Sequence, residues 1–535
     1  MHYDAGFRAA AFDWPRTRDS MATEPKGKMR DRLRALPREQ LRGMRRGIEK
    51  ESLRTRPDGA LALTPHAPAL GSALAHPHIT TDFSESQLEL ITGTHATVEG
   101  CMQELTRIHQ YVHRVIGDEL MWAGSMPCGL PGEQDIPIGR YGASNVGRAK
   151  TVYRNGLSWR YGRRMQTISG IHYNWSMPGL GNAQYFALIR NFRRHGWLLL
   201  YLFGASPAVC SSFIEGRQHP LQALSPGTHY LPYATSLRMG RLGYQSDAQS
   251  SLVVSCNDLD TYGATLQRGL TQAYPPYEEI GIREPDAKGD GAESYRQLST
   301  SLLQIENEFY GKIRPKRRIR PGERPLHALR ERGVEYVEVR LMDLDPFAPT
   351  GITLPVMRFL DVFLLHCLLS DSPPDTPADI ACEARNQETV AARGREPGLR
   401  IGCGREDRDL REWGVQLLAE CEPVAAAIDA AVGGSAYHEA HAAQAAVLRD
   451  TALAPSAQVL AQMKRQGDSF RELALERSRL HRQSILEMDF PQAEATRFAH
   501  LAAESIAEQQ GIEAGDTLPF EEYRKQYLAV ERLGP

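Results

Sequence analysis

Two glutamates, Glu49 and Glu51, are separated by a single residue in the segment GIEKESLR, residues 47–54. In a strand, residues two apart point to the same face, so both carboxylates would share one. Carboxylates held close together repel each other unless water, cations or a metal ion lies between them. A solvated strand edge, with Lys50 and Arg54 nearby, is the alternative interpretation of this segment alone.

A second acidic segment, TTDFSESQLEL, follows some thirty residues later. As a strand it places Glu85, Gln87 and Glu89 on one face, and as a helix it still places Glu85 and Glu89 together. The acidic pairing therefore does not depend on the type of element. Ser84 with Gln87 also fits a helix capping box without any chemical role.

The segment IHYNWS alternates small polar and larger apolar side chains. In a strand, His172, Asn174 and Ser176 would share one face, with the apolar residues between them on the other. A row of buried polar groups is costly unless the groups are hydrogen-bonded, so they suit the wall of a wet cavity. Taken alone, a histidine in such a segment is more often structural than a ligand.

A similar alternation occurs in EYVEVR, where Tyr336, Glu338 and Arg340 would share a strand face opposite two valines. Glu338 and Arg340 pairing with each other is the simplest interpretation. Facing a cavity, they would instead offer a metal ligand and a guanidinium fork for phosphate.

Two short basic segments are candidate anion sites. Residues 139–150, GRYGASNVGRAK, are glycine-rich but lack the Gly-Lys-Ser/Thr ending of a Walker A loop, so a surface loop is the alternative. Residues 313–320, IRPKRRIR, fit anion binding near an active site or a solvated loop better than a nuclear-localisation or RNA-binding patch.

Carboxylates and one histidine spread over several strands suit Mg²⁺ or Mn²⁺ better than zinc. Arginines beside such a site favour phosphoryl transfer, in which the protein positions phosphates and neutralises their charge. The residues by themselves therefore predict an enzyme that uses a magnesium nucleotide, with an unidentified substrate.

Short strands alternating with helices must position these side chains. The strands are expected within Leu157–Pro178 and Gly333–Asp345, and a helix is expected over Ala183–Phe203. Polar residues carried on separate strands, with helices between them, indicate an α+β fold and not a tandem βαβ fold.

The chain is expected to divide into three parts. Residues 1–28 are predicted to be a flexible extension, because they mix charge, Pro and Gly with weak periodicity. Residues 29–350 are predicted to form the catalytic core. Residues 351–535 are predicted to form a helical C-terminal region packed on that core, because Ala-, Leu-, Glu- and Arg-rich runs with helical spacing dominate there.

Composition excludes several classes of protein. The 535 residues include 63 Lys+Arg and 65 Asp+Glu, a formal net charge of −2. This balance argues against nucleic-acid partners and against a basic membrane-surface protein. The eight cysteines form no Cys-x-x-Cys pair, so we expect buried free thiols, not a disulfide framework or a zinc site.

The sequence contains no apolar run typical of a signal peptide or a membrane span. The most apolar stretch, Gly196–Ile214, is interrupted by Gly, Pro and Ser, so we expect a buried core segment. A second apolar run, Phe359–Leu369, is too short to span a bilayer. These observations favour a cytoplasmic protein.

Taken together, several segments resemble glutamate–cysteine ligases of the proteobacterial type, in the order found in that family and over roughly residues 40–370. The segments are RRGIEKESLR, ITTDFSESQLELIT, ASNVGRAKTVYRNGLSWRYGRRMQTISGIHYNWSMP, YLFGASPAVCSSF, YLPYATSLRMGRLGYQS, LQIENEFYGKIRPKR and GVEYVEVRLMDLDPF. The resemblance implies a glutamine-synthetase-like core, in which a curved antiparallel sheet forms a funnel surrounded by helices. The C-terminal helical region matches the family less closely.

The resemblance also implies a reaction, the first step of glutathione biosynthesis. ATP would phosphorylate the γ-carboxylate of L-glutamate, and the amino group of L-cysteine would displace the phosphate to give γ-glutamylcysteine. The chain is too short for a second ATP-binding domain after the helical region, so the product is expected to pass to a separate glutathione synthetase.

The family's functional residues carry over to matching positions of this sequence. Two or three Mg²⁺ ions, or Mn²⁺, would be ligated by Glu49, Glu51, Asp82, Glu89, His172 and Glu338. Arg340 would hold the transferred phosphoryl group, with Glu338 as the other catalytic residue. The amino-acid pocket would be lined by Tyr153, Asn174, Arg238, Tyr244 and Tyr310.

Two other functions remain open. A related ATP-dependent ligase that joins glutamate to another amine would share the fold and the metal site, because function depends on the site and not on the fold. A non-catalytic binding relative would lack a metal ligand or the arginine, whereas Glu49, Glu338 and Arg340 are all present.

Overall fold

The computed structural model describes residues 27–243, 248–284, 289, 291–403 and 407–534. The strands are β1 (Arg45–Thr55), β2 (Ile79–Thr81), β3 (Gln87–Ile91), β4 (Leu120–Met121), β5 (Ile171–Ser176), β6 (Ala208–Cys210), β7 (Gln222–Ser225), β8 (Thr228–Tyr230), β9 (Ile313–Lys316), β10 (Tyr336–Met342), β11 (Arg400–Ile401) and β12 (Arg408–Asp409).

The first helices are α1 (Gly27–Ala35), α2 (Arg38–Arg42), α3 (Val98–Val115), α4 (Asn145–Tyr161), α5 (Arg163–Gln166), α6 (Asn182–His195), α7 (Trp197–Phe203), α8 (Ser211–Ile214), α9 (Leu259–Thr271), α10 (Pro275–Ile280) and α11 (Pro325–Arg332). The later helices are α12 (Leu354–Leu369), α13 (Pro377–Arg393), α14 (Leu410–Val432), α15 (Ala436–Arg449), α16 (Pro455–Arg465), α17 (Phe470–Glu487), α18 (Gln492–Gly515) and α19 (Phe520–Leu528).

The main sheet has the strand order β2-β3-β1-β5-β10-β9, and β4 extends it by pairing with the end of β1. Each neighbouring pair is antiparallel. The prediction of a mixed helix-and-sheet fold with an antiparallel core sheet is therefore confirmed. β1 and β5 lie at the centre of the sheet, and both carry candidate site residues.

One face of this sheet is apolar and packs against helices. Ile48, Leu88, Tyr173 and Val339 are fully buried, and α12, which packs beside α6 and α15, is buried along most of its length. The burial of large side chains on this face is the main force that holds the sheet in place. The opposite face is left to line a cavity.

The helical regions differ in detail from the sequence-based expectation. The helix expected over Ala183–Phe203 is two helices, because α6 ends at Gly196 and α7 begins directly after it. The helices expected after residue 351 are present, together with the short β11–β12 pair. All of α7 is buried, which confirms the prediction of a core segment there.

The expectation that all cysteines are free thiols is wrong. Cys128 is bonded to Cys210 and Cys382 to Cys403, across sequence separations of 82 and 21 residues. Such pairs become neighbours only through the tertiary fold, so spacing along the sequence does not reveal them. The remaining cysteines, Cys101, Cys256, Cys367 and Cys421, are free and buried, as expected.

Among the described residues, no helix combines the length and the apolar character needed to cross a bilayer.

Candidate functional site

The register of the central strands collects the acidic residues on one face of the sheet. Glu49 on β1 lies opposite His172 on β5, and Glu51 lies opposite Glu89 on β3. On the other side of β5, Glu338 of β10 lies opposite Asn174. Directly opposed residues of an antiparallel pair project to the same face, so the four adjacent strands β3, β1, β5 and β10 contribute to one acidic surface.

His172 is surrounded by three of these carboxylates. Its Nδ1 lies 3.1 Å from Oε2 of Glu49 and 3.7 Å from Oε1 of Glu338, and its Nε2 lies 3.4 Å from Oε1 of Glu51. Glu49, Glu89 and His172 can each place one ligand atom within 4.8 Å of the others. This arrangement is close enough for several side chains to share one cation.

Several polar atoms at this surface are buried without a hydrogen-bond partner among the described residues. They are Nε2 of His172, Oε2 of Glu338 and Oδ1 of Asn174. Buried donors and acceptors are nearly always satisfied, so each such atom calls for an explanation. Carboxylate and amide oxygens and an imidazole nitrogen that lack a hydrogen-bond partner here and lie beside other carboxylates fit the ligands of a divalent cation such as Mg²⁺ or Mn²⁺.

The carboxylates fall into two groups by acidity. Burial, followed by the charge of Asp82, raises the pKa of Glu51 to about 8, and burial beside Glu49 raises the pKa of Glu89 well above its usual value. Burial also acts on Glu338, but Lys316 and Arg340 outweigh it and hold its pKa well below the usual value. A bound cation would favour the ionised form of every carboxylate in the set.

The protonation of His172 suits metal ligation. Burial, followed by the charge of Arg340, lowers the pKa of His172, so the neutral imidazole predominates near pH 7. The shorter contact of Nδ1 is with Glu49, at 3.1 Å, against 3.4 Å to Nη1 of Arg340. A proton on Nδ1 that is donated to Glu49 leaves the Nε2 lone pair for a metal.

The acidic surface forms the floor of a cavity of about 350 Å³. Its walls come from the sheet, from α4, from the segment before β9, from α11 and from α19. The positively charged side chains that line it include Lys150, Arg154, Arg314, Lys316 and Arg340. Cations facing carboxylates across a cavity of this size suit a phosphorylated ligand that is held through a metal ion.

Asp82 connects the acidic surface to α4. Its side chain is at the cavity, and its backbone oxygen accepts hydrogen bonds from Arg154 of α4 and, at 2.7 Å, from the hydroxyl of Tyr141. Arg154 also lies over the Tyr141 ring, at 4.4 Å from its centroid. The cationic side of α4 is thereby fixed against the edge of the sheet.

Three residues predicted for the amino-acid pocket line the cavity: Tyr153, Asn174 and Tyr310. The amide of Asn174 donates to Oε1 of Glu49 at 2.9 Å, and the hydroxyl of Tyr310 accepts from Nε2 of Gln166 at 2.9 Å. Tyr244 lies outside the described residues.

Arg238 and Glu51 are not among the residues that line the cavity. Arg238 is fully buried and donates from Nη2 to the backbone oxygen of Arg340 at 2.9 Å. Gly170 makes this possible, because a Cβ atom at that position would lie 1.9 Å from the same Nη2. Oε2 of Glu51 accepts from the Gly170 amide at 2.7 Å. Contact of Arg238 with a substrate carboxylate, and of Glu51 with a metal, stays a prediction.

Comparison with known proteins identifies the family. A family model described as glutamate–cysteine ligase matches residues 32–390. The glutamate–cysteine ligase of Alcanivorax borkumensis is 46% identical over 493 residues, which cover 89% of this chain and 94% of that protein. That of Pseudomonas aeruginosa is 46% identical over 494 residues, covering 89% and 92%. The chain belongs to the glutamate–cysteine ligase family.

Solved structures agree with this assignment. A glutamate–cysteine ligase from Francisella tularensis, crystallised in complex with AMP, is 34% identical, superposes with a TM-score of 0.86 and covers 91% of this chain and 97% of that one. A bifunctional glutathione synthetase from Pasteurella multocida, 23% identical with a TM-score of 0.68, covers 90% of this chain and 58% of that one and shows the shared fold alone.

In this member of the glutamate–cysteine ligase family, sequence reasoning missed several residues that line the cavity. Lys150 and Lys316 lie inside the two basic segments, and that composition was their only signal. Tyr523 and Tyr527 line the cavity from α19, near the end of the chain. Their spacing of four residues predicts a shared helix face but not the distant site that this face reaches.

Proposed function

We propose that this chain joins the γ-carboxylate of L-glutamate to the amino group of L-cysteine at the expense of ATP, giving γ-glutamylcysteine, ADP and phosphate. The observation that carries the proposal is the contact of His172 with Glu49 and Glu338 on the cavity floor, beside the cationic Arg340. Membership of the glutamate–cysteine ligase family supports the choice of substrates.

The proposed first step transfers the γ-phosphoryl group of ATP to the glutamate carboxylate. Both reactants are anions, so their approach requires positive charge at the point of contact. Arg340 extends from the same strand as Glu338, and its Nη1 lies 3.1 Å from Oε1 of that residue. Lys316, 3.4 Å from the same oxygen, adds a second cation. We assign Arg340 to the transferred phosphoryl group.

A divalent metal, when bound, would supply charge neutralisation between the phosphates and the substrate carboxylate. The donor set of carboxylates and a neutral imidazole fits this role. The residues proposed to hold it are Glu49, Glu51, Asp82, Glu89, His172 and Glu338.

The proposed second step is attack of the cysteine amine on the acyl phosphate. An amine held close to an acyl phosphate needs little additional activation, so positioning carries much of this step. We propose that several cavity tyrosines, the side-chain amide of Asn174 and Arg238 bind the two amino acids. The full set is Tyr153, Asn174, Arg238, Tyr244 and Tyr310.

Several wider features belong to the same proposal. The antiparallel sheet would form the curved funnel that the likeness to glutamine synthetase implies, with residues 29–350 as the catalytic unit and residues 351–535 as its helical support. Since ATP is the proposed phosphoryl donor, we place the reaction in the cytoplasm. The product would then pass to a separate glutathione synthetase.

The choice of amine is the part of the proposal most open to direct test. ADP release by the purified protein is measured with MgATP and L-glutamate, and with L-cysteine or one of a panel of other amines added. We expect cysteine to give the highest kcat/KM and γ-glutamylcysteine as the product. Faster turnover with another amine would keep the chemistry and replace the substrate, whereas no turnover with any amine would overturn the enzyme assignment.

A further inference from the structure

The cavity wall before β9 is an irregular segment, residues 298–310, held in place by two buried glutamates. Its regular structure is a single 3₁₀ turn, Glu306–Glu308. Both glutamates are almost completely buried, at 6% and 1% exposure. Because they are two residues apart on a tight turn, their side chains reach different neighbours, and each binds a different arginine.

Glu308 is directed toward α4. Its Oε1 lies 2.9 Å from Nη1 of Arg160 and accepts the hydroxyl of Tyr161 at 2.7 Å, and its Oε2 accepts the Gln304 amide at 2.6 Å. The side chains of Glu308 and Arg160 are both 0% exposed. A fully buried ion pair with all these hydrogen bonds fixes the position of the turn.

The position of Glu308 determines that of Tyr310. The backbone oxygen of Glu308 accepts from Nε2 of Gln249 at 2.9 Å, and Oε1 of Gln249 accepts the Tyr310 amide at 3.1 Å. The rings of Tyr161 and Tyr310 meet edge to face, with their centroids 5.7 Å apart. Glu308 therefore acts on Tyr310, which lines the cavity, through both the backbone and the neighbouring ring.

Glu306 is directed the opposite way, toward α11 and the C-terminal helix. Its Oε2 accepts from Nε and Nη2 of Arg324 at 3.0 and 2.7 Å, and its Oε1 accepts the Leu326 amide at 3.2 Å. Arg324 in turn donates to the backbone oxygen of Tyr527 at 2.9 Å and lies 4.8 Å from the centroid of its ring. This contact fixes the position of Tyr527 in the cavity wall.

The cavity wall that contains Tyr310 and the wall that contains Tyr527 lie at opposite ends of the sheet strands. β9 and β10 run antiparallel, with Ile313 opposite Val339 and Lys316 opposite Tyr336. Tyr310 precedes the first of these pairs and so lies at the Arg340 end. α11 leads into the start of β10 and so lies at the Tyr336 end.

The two ends differ in chemistry. At the Tyr336 end the lining includes four apolar and aromatic side chains, Leu326, Leu329, Tyr523 and Tyr527, beside the charged Lys316, Arg317 and Glu335. Flat apolar surfaces suit a nucleotide base, which binds largely through its ring faces. At the Arg340 end, Gln166 and Tyr310 offer hydrogen-bonding groups that suit an amino acid.

We propose that Glu306 and Glu308 are positioning residues for two different substrates: Glu308 fixes the amino-acid wall through Tyr310, and Glu306 fixes the nucleotide-base wall through Arg324 and Tyr527. This inference rests on the proposed function. According to this proposal, one 3₁₀ turn supports two binding walls, each through its own glutamate.

The test compares two matched variants, Glu306→Gln and Glu308→Gln, which remove one charge each from positions two residues apart. For each variant, KM for ATP and KM for cysteine are measured with the other substrates saturating. We expect Glu308→Gln to raise KM for cysteine by about tenfold and to leave KM for ATP within about twofold, and Glu306→Gln to do the reverse. Thermal unfolding is recorded alongside to confirm that both variants are folded.

A merely structural role for the turn predicts a different outcome, in which both variants lose kcat and both KM values move together. That result, or an exchange of the two patterns, would overturn the inference. If either charge removal prevents folding, Tyr161→Phe and Tyr527→Leu replace the pair, because they weaken one wall each and leave both ion pairs intact. The same split is expected of them, and its absence overturns the inference. Failure of the wild-type protein to use cysteine would instead overturn the proposed function.

Discussion

Glu49 and His172 face each other across neighbouring antiparallel strands, and Oε2 of Glu49 lies 3.1 Å from Nδ1 of His172. This contact fixes the imidazole ring, whose Nε2 lies 3.4 Å from Oε1 of Glu51. Burial raises the pKa of Glu49, but the hydrogen bond with His172 and the charges of His172 and Lys316 together keep that pKa below the usual value. An ionised glutamate and a neutral histidine are the protonation states that metal ligation requires.

Glu338→Gln tests whether the acidic surface takes part in turnover. The substitution keeps the size of the side chain and removes a charge that lies next to Arg340 and Lys316. We expect kcat to fall by about a hundredfold or more, the usual scale for losing one group that stabilises the transition state. The measurement is the rate of ADP release, with Glu331→Gln, at a half-exposed residue of α11, as control. Equal rates for Glu338→Gln and the wild type would contradict the assignment.

Mg²⁺ is expected to raise the melting temperature of the protein. Burial, with the added charges of Asp82 and Glu49, raises the pKa values of Glu51 and Glu89, so the ionised forms of these carboxylates are costly without a cation. A ligand that binds only the folded state stabilises it in proportion to the logarithm of its concentration. Differential scanning fluorimetry over a Mg²⁺ series, with Glu89→Gln in parallel, should show a smaller shift for the variant. A melting temperature that does not respond to Mg²⁺ would argue against a metal site here.

The buried histidines predict a loss of stability in mild acid. Burial lowers the pKa of His481 to about 4 and that of His113 to about 3, both below the usual histidine value of 6.5. As the pH falls below about 6.5, the unfolded chain gains protons that the folded state does not, so this part of the stability is lost progressively toward pH 4.

His481→Gln isolates this effect. Nε2 of His481 lies 2.8 Å from the backbone oxygen of Pro346, a contact that glutamine can partly replace. Urea unfolding at pH 7 and pH 5 should show a smaller acid loss for the variant than for the wild type, by up to about 1.4 kcal/mol per pH unit for one proton. His500→Gln, at a residue whose side chain is 71% exposed, should leave the loss unchanged. Identical losses in the wild type and His481→Gln would contradict this account.

Asp361→Asn should strongly destabilise the protein. Asp361 on α12 pairs with Arg46 of β1 at 2.7 Å, with both side chains buried, and accepts the hydroxyls of Tyr173 and Tyr437. Breaking a buried pair leaves an uncompensated charge, at a cost of about 3–5 kcal/mol. Urea unfolding measures the loss, and Glu494→Gln, in a partly exposed pair with Arg497, should cost much less. Similar losses in the two variants would contradict the role given to the ion pair.

The strand faces of the site could be predicted from the sequence because side chains alternate along a strand. This rule correctly put Glu49 with Glu51, His172 with Asn174, and Glu338 with Arg340, and the register then brought these faces together. No sequence pattern predicts the order of the strands, because pairing between strands that are far apart in sequence is set by the whole core.

Other features depend on tertiary neighbours and could not be predicted. Lys50, between two acidic residues, looked like a solvated cation, but it lies on the opposite face of β1 with Nζ 2.7 Å from Nε2 of His109. Glu85 was grouped with Glu89, yet its carboxylate instead accepts the amides of His66 and Arg140. The approach of α19 to the cavity likewise depends on how the last helices pack.

We propose that the glutamate γ-carboxylate is phosphorylated in this cavity. When the amine displaces phosphate from the acyl phosphate, the carbon–oxygen bond breaks and one former carboxylate oxygen leaves with the phosphate. The decisive measurement uses L-glutamate labelled with ¹⁸O in its γ-carboxylate, with MgATP and cysteine, and mass spectrometry of the released phosphate. One ¹⁸O atom in each phosphate is the predicted result, and phosphate without ¹⁸O during γ-glutamylcysteine formation would contradict the claim.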